Sequence, residues 1–165
     1  MQSEQESIRI ERAVKSQTPL ILHFIRQLAE YEKLLDQVEV DEARIEATLF
    51  SDKPAAEVVI AFLGEEPAGF ALFFSTYSTF LGRPGIYLED VFVEPKFRGK
   101  GVGKALLVHL AKLTREREGG RLEWSVLNWN EPAIQFYTGL GATAQGAWTM
   151  YRETGEDLQK LAETL

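Results

Sequence analysis

Cysteine is missing from all 165 residues, which excludes a disulfide, a thiolate metal site and a cysteine nucleophile. The two histidines, His23 and His109, lie too far apart in sequence to suggest a ligand pair, so no metal is expected. No apolar stretch approaches the ~18–20 uncharged residues of a membrane span. The start, "MQSEQESIRIERA", lacks the basic-then-apolar order of a signal peptide. A cytoplasmic protein without a membrane partner is the expectation. Positive charge is in deficit, with 18 Lys+Arg against 25 Asp+Glu and a net charge of −7, which argues against a nucleic-acid partner. Such acidity suits a cationic partner, although it also serves solubility alone. Linkers, repeats and low-complexity stretches are missing as well. What is there is 45% hydrophobic residues, enough for one globular domain of the usual ~100–200 residues. We place it at residues 8–165, after a polar, disordered tail at 1–7.

The pattern along the chain is mixed α/β around a central sheet. "IRIERA" reads as a short strand, and Thr18 and Pro19 supply an N-cap and first-turn proline for a helix lined by Ile21, Phe24, Ile25, Leu28 and Leu35. A second helix begins at Asp41, where Val40 and Ile45 have the spacing of a hydrophobic staple. "EVVIAFLG" and "AGFALFFSTYS", separated by Glu65, Glu66 and Pro67, predict an antiparallel hairpin. "GIYLEDVFVEP" is a third strand with a charged kink at Glu89 and Asp90. A helix from about Gly103 to Arg117 carries Leu106, Leu107, Leu110 and Leu113 at helical spacing. "GGRLEWSVL" gives another strand and "NEPAIQFYTGLG" a short helix capped by Asn130. "AWTMYRET" reads as a last strand before a C-terminal helix.

Between the third strand and its helix lies "PKFRGKGVGKALL". Glycines before a helix let the backbone approach a ligand, and the unpaired N–H groups of a first helical turn attract an anion such as phosphate. A Walker loop does not fit, because Arg98 stands five before Gly103 and Ala105 follows Lys104. A dinucleotide fingerprint does not fit either, because Gly103 comes one residue too early after Gly99 and Gly101. What remains is R-x-x-G-x-G, from Arg98 through Gly101 to Gly103. By itself it is equally an ordinary glycine-rich turn.

R-x-x-G-x-G after a strand ending "VFV" resembles the acyl-coenzyme A pyrophosphate loop of the GCN5-related N-acetyltransferase (GNAT) superfamily. "YLEDVFVEPKFRGKGVGKALL", "WNEPAIQFYTGLGA" and "LAEYEKLLDQV" resemble its diamine (spermidine/spermine) N-acetyltransferase branch, from about Ile8 to Met150. The resemblance implies the GNAT-type acyl-CoA N-acyltransferase fold, a mostly antiparallel twisted sheet flanked by helices. It implies acetyl-CoA as cosubstrate, and a homodimer with an exchanged C-terminal strand. Backbone groups of Val91, Phe92 and Val93 would flank the thioester and pantetheine arm. Arg98, Gly99, Lys100, Gly101, Val102, Gly103 and Lys104 would take the pyrophosphate. Asn130, locally a helix N-cap, matches the family asparagine that meets the coenzyme arm, and Tyr137 matches the general acid. A cap at Asn130 puts Tyr137 two helical turns along, roughly on the same face.

N-acetylation needs a deprotonated amine, and an alkylammonium with a pKa near ~10.4 is only about one part in a thousand neutral at pH 7. Glu89, beside Asp90 in a partly buried strand, is expected to have a raised pKa and to act as base through water. The alternative is that Glu89 and Asp90 only bind the cationic substrate. Backbone N–H groups near Phe92 and Val93 would stabilise the oxyanion. Tyr137 would protonate the departing thiolate; its alternative is a core-packing tyrosine. Without cysteine, direct transfer in a ternary complex is favoured over a covalent route, with a serine carrier left open.

For the acceptor, Tyr31 and Glu32 match polyamine-contacting positions and, with Glu89 and Asp90, would form an acidic channel for a diamine, spermidine or lysine-like amine. Glu32 is alternatively a solvated helix face. Arg83 is expected near the channel, where it would repel a polyamine and meet a substrate carboxylate. Glu123 and Trp124 match substrate-side positions with different residue types; Trp129 and Trp148 read as packing residues. A protein or peptide N-acetyltransferase and a non-catalytic acyl-CoA sensor are the competing readings.

Overall fold

The computed structural model describes residues 7–165, so all but the last residue of the expected polar tail lies outside the described residues. These divide into two compact units, one running to Leu127 and one starting at Asn128.

The first unit is built on a sheet of order β1-β2-β3-β4-β5, comprising β1 (Ile8–Arg12), β2 (Glu57–Leu63), β3 (Glu66–Ser78), β4 (Arg83–Val93) and β5 (Arg121–Trp124). The first four pair antiparallel. β5 lies parallel to β4, which requires a crossover, here α3 (Val102–Glu116). The expected hairpin forms with a tighter turn than expected: Leu63 pairs Glu66, and Gly64 supplies the left-handed conformation at φ 61°.

Apolar residues stand on both faces of β2, where Val59 and Ala61 look one way and Val58 and Ile60 the other. A strand covered on both sides has no reason to alternate with polar residues. On one face α3 buries Val102, Leu106, Leu107 and Leu110 against Phe73, Ile86 and Leu88. On the other, α1 (Thr18–Tyr31) and α2 (Glu42–Leu49) bury Ile21, Phe24 and Ile45 against Ile60, Phe70 and Phe92. Phe24 stacks on Phe70 at 5.2 Å between ring centroids. Asp41 caps α2 by accepting the Arg44 N–H at 2.8 Å, and Val40 joins the same cluster as Ile45, as a staple requires.

Two details of α1 differ from expectation. Its N-cap is Gln17, because a short 3-10 turn at Lys15–Gln17 precedes it; Thr18 is the first helical residue and its hydroxyl donates to the Lys15 carbonyl at 2.7 Å. Leu35 falls outside the helix and is exposed. α1 stops earlier because Lys33 turns left-handed at φ 62° and Leu34 N–H closes the turn onto the Ala29 carbonyl.

The second unit holds α4 (Glu131–Gly139) and α5 (Gly155–Ala162). The strand expected at "AWTMYRET" does not form: among the described residues of this unit there is no ladder, and β-propensity is realised only where a neighbouring edge is available. Trp148, expected to pack, is 81% exposed, and Trp129 is half exposed.

Candidate active site

β4 and β5 stay paired only from Gly85–Arg121 to Leu88–Trp124, and β4 then runs on to Val93 without β5. One edge of β4 is therefore open over its last five residues. On its other edge, the register with β3 slips between Leu72 and Phe73, so that Leu72 faces Asp90, Phe73 faces Leu88, and Glu89 is the extra, bulged residue. The charged kink read from "YLED" is this bulge.

Strand alternation decides which amides reach the open edge. Glu94 N–H donates to the Ala68 carbonyl at 2.8 Å, toward β3. Counting back in an antiparallel ladder, Phe92 and Asp90 also bond toward β3, while Val91 and Val93 turn their N–H and C=O groups outward. The expected contribution of the Phe92 amide is thus corrected: it serves the sheet, and its ring is buried against Phe24.

The open edge leads into the glycine loop. Gly99 and Gly101 have φ of 78° and 86°, and Gly101 is the N-cap of α3. The first intrahelical bond runs from Ala105 N–H to the Gly101 carbonyl at 2.9 Å, which leaves the amides of Val102, Gly103 and Lys104 without an intrahelical acceptor. A Cβ on Gly99 would meet no atom within 4 Å, so the loop borders open space. Lys100 and Lys104 are exposed there. Positive φ values beside an exposed helix N-terminus make a concavity of N–H groups suited to a phosphate.

Arg98 does something the motif did not disclose. Its Nε donates to the Val93 carbonyl at 3.0 Å, and its guanidinium lies over the rings of Tyr31 (5.2 Å) and Phe92 (5.5 Å). It fastens the loop to the end of β4 and brings Tyr31 to the same place. His23 Nε2 donates to Glu94 Oε1 at 2.6 Å and ties α1 to the end of β4.

Glu32, the C-cap of α1, is half-buried, and burial raises its pKa; it is not a solvated face. The Asp90 carboxyl is pushed up to about 6, first by burial and then by the charges of Glu89 and Glu32. The partly buried setting expected for Glu89 belongs to its neighbour Asp90: Glu89 sits exposed on the bulge and supplies part of the repulsion. The structure brings together Tyr31, Glu32, Asp90, Phe92 and Arg98, and joins them through Val93 to the loop. It does not bring Arg83, which begins β4 six positions before Glu89, about 20 Å along the strand. Trp124 packs on the α3-side cluster, whereas Glu123 is exposed on the opposite face. A contact missed from sequence is that of the Tyr87 and Ser125 hydroxyls, 2.6 Å apart. Only the β4–β5 register reveals it.

In the second unit Asn130 caps α4, its Oδ1 accepting the Ala133 N–H at 3.4 Å. Tyr137 lies seven residues on in the same helix, its ring 5.6 Å from that of Phe136.

Residues 23–142 match the model of the acetyltransferase (GNAT) family. The chain is similar to a thialysine N-epsilon-acetyltransferase of Bos taurus, 35% identical over 94% of this chain and 97% of that one. It is also similar to an L-ornithine N5-acetyltransferase of Arabidopsis thaliana, 30% identical over 93% and 87%. Among solved structures, an integron cassette protein from the mobile metagenome of V. cholerae superposes with a TM-score of 0.79 at 28% identity, covering 95% of this chain and 98% of that one.

Proposed function

Because the chain belongs to the GNAT acetyltransferase family, we propose that it transfers the acetyl group of acetyl-CoA directly to a primary amine of a small diamine, polyamine or lysine-like molecule. The observation that carries this reading is the continuous path from the half-buried carboxylates of Asp90 and Glu32, along the open edge of β4, into the left-handed glycine loop.

Acetyl-CoA supplies the thioester. The loop suits its pyrophosphate: the amides of Val102, Gly103 and Lys104 lack intrahelical acceptors, the space beside Gly99 is open, and Arg98, Lys100 and Lys104 offset the charge. Val91 and Val93 amides, turned to the open edge, suit the pantetheine arm and the negative charge that develops at the carbonyl. Glu32, Glu89 and Asp90 attract the ammonium, and Tyr31 borders them through its stacking on Arg98. A carboxyl poised near 6 suits a general base at neutral pH, so Asp90 holds the amine's proton and exposed Glu89 passes it to water. Asn130 and Tyr137 carry the family motif "WNEPAIQFYTGLGA"; we assign the coenzyme arm to Asn130 and the proton for the leaving thiolate to Tyr137.

The same proposal takes residues 8–165 as one catalytic domain, supported by a family match that runs across the Leu127–Asn128 boundary. It takes the protein as a cytoplasmic homodimer with an exchanged C-terminal segment, supported by the exposure of Trp148, Met150 and Tyr151. Incubation with acetyl-CoA and a panel of putrescine, spermidine, thialysine, ornithine and a lysine peptide, followed by mass spectrometry, tests the reaction. Acetylated small amines are expected; acetylation of the peptide alone would move the assignment to a protein acetyltransferase.

A further inference from the structure

β5 separates its residues by face. Leu122 and Trp124 pack on the α3-side cluster, so Arg121 and Glu123, and Ser125 just beyond, stand on the other. The parallel register sets Arg121 beside Gly85 and Glu123 beside Tyr87, and such neighbours share a face. Two contacts agree with this assignment: Tyr87 meets Ser125 at 2.6 Å, and a Cβ on Gly85 would lie 3.5 Å from that of Arg121. That same Cβ would come within 2.8 Å of Thr76 Oγ1 and 2.9 Å of the Arg121 carbonyl, so glycine at 85 lets Thr76 and β5 close in on this stretch of β4. Among the described residues, neither Arg121 nor Glu123 is engaged in an ion pair or a side-chain hydrogen bond. This face therefore presents a cation, then an anion, then a hydroxyl pair, in a row that runs toward the Glu89 bulge and Asp90.

We infer that Arg121 and Glu123 recognise the charged head of an amino-acid acceptor, Arg121 taking its α-carboxylate and Glu123 its α-ammonium, while the side-chain amine to be acetylated sits at Asp90. The inference rests on the acetyltransferase reading and narrows its acceptor to an ornithine- or lysine-type amino acid. The spacing suits it. Tyr87, level with Glu123, lies opposite Phe74, and Asp90 lies opposite Leu72. Two residues of β3 separate those levels, about 7 Å, the span of the aliphatic chain in ornithine or lysine. The order of charges suits it too: a bare diamine would bring its second ammonium to Glu123 but toward Arg121, which repels it, whereas a carboxylate meets a guanidinium in its preferred forked geometry.

L-ornithine and putrescine differ by that carboxylate alone, so their kcat/KM values with acetyl-CoA test the inference. Ornithine is expected to be the better acceptor. Arg121→Gln is expected to lower kcat/KM for ornithine about 10- to 100-fold, the range for a lost charged hydrogen bond, mainly through KM. Putrescine, relieved of the repulsion from Arg121, should gain rather than lose kcat/KM in Arg121→Gln, and Arg121→Lys should restore part of the loss for ornithine. Putrescine matching ornithine in the wild type, or both acceptors falling alike in Arg121→Gln, would overturn the inference and leave the acetyltransferase reading standing. Failure to acetylate any amine would overturn both.

Discussion

Replacing Asp90 by asparagine is expected to stabilise the protein near neutral pH while weakening its use of amines. The wild-type carboxyl titrates at about 6 in the folded state against an ordinary value of 3.8. Between those values the folded state binds more protons than the unfolded one, so stability falls as pH rises through the window and the full penalty is present above it. That difference corresponds to at most about 3 kcal/mol, and solvent reaching the half-buried carboxylate trims it to about 1–3 kcal/mol. For a chain of 165 residues the gain is a Tm rise of roughly 3–10 °C. At about pH 4.5, where the wild-type group is mostly protonated in the folded state, the gain shrinks to about 1 kcal/mol or less. Urea unfolding of both proteins at the two pH values reads this directly. A variant no more stable than wild type near neutral pH, or one with an equal gain at both, would refute a raised Asp90 carboxyl.

Gly101→Ala forces a side chain to φ 86°; a loss of about 1–2 kcal/mol is expected by denaturant unfolding, with weaker acetyl-CoA binding by calorimetry. Arg117 donates two bonds of 2.8 Å to the Glu57 carboxylate, whose pKa it lowers against the opposing effect of burial. Stability from that pair is complete above about pH 4.5 and is lost as pH falls through the lowered value. Arg117→Gln should therefore lose about 1 kcal/mol near neutral pH and little in acid, as unfolding at both pH values will show. Tyr137→Phe should lower kcat by about 100-fold with acetyl-CoA affinity retained, which rate and binding measurements together will separate.

The elements that pack on their own neighbours were legible in the sequence. Helical spacing of Leu106, Leu107 and Leu110, the staple around Asp41 and the β2–β3 hairpin all appear close to their expected places. The glycine loop was legible because positive φ demands glycine. What was not legible depends on register and on partners. A one-residue bulge leaves Glu89 exposed and Asp90 as the partly buried carboxylate of the pair. Ladder alternation removed the Phe92 amide from the open edge. Arg83 is only a few positions from Glu89 in sequence, yet strand rise carries it to the far end of β4. "AWTMYRET" has the composition of a strand, and composition alone does not provide the edge a strand needs.

Initial rates of coenzyme A release, measured with a thiol reagent while acetyl-CoA and ornithine are varied together, test direct acetyl transfer to a small amine. Amine-dependent release with intersecting double-reciprocal lines is the expected result, since both substrates must be bound before the acetyl group moves. Parallel lines would point to a covalent acetyl-enzyme, and no amine-dependent release with ornithine or any other small amine would contradict the assignment itself.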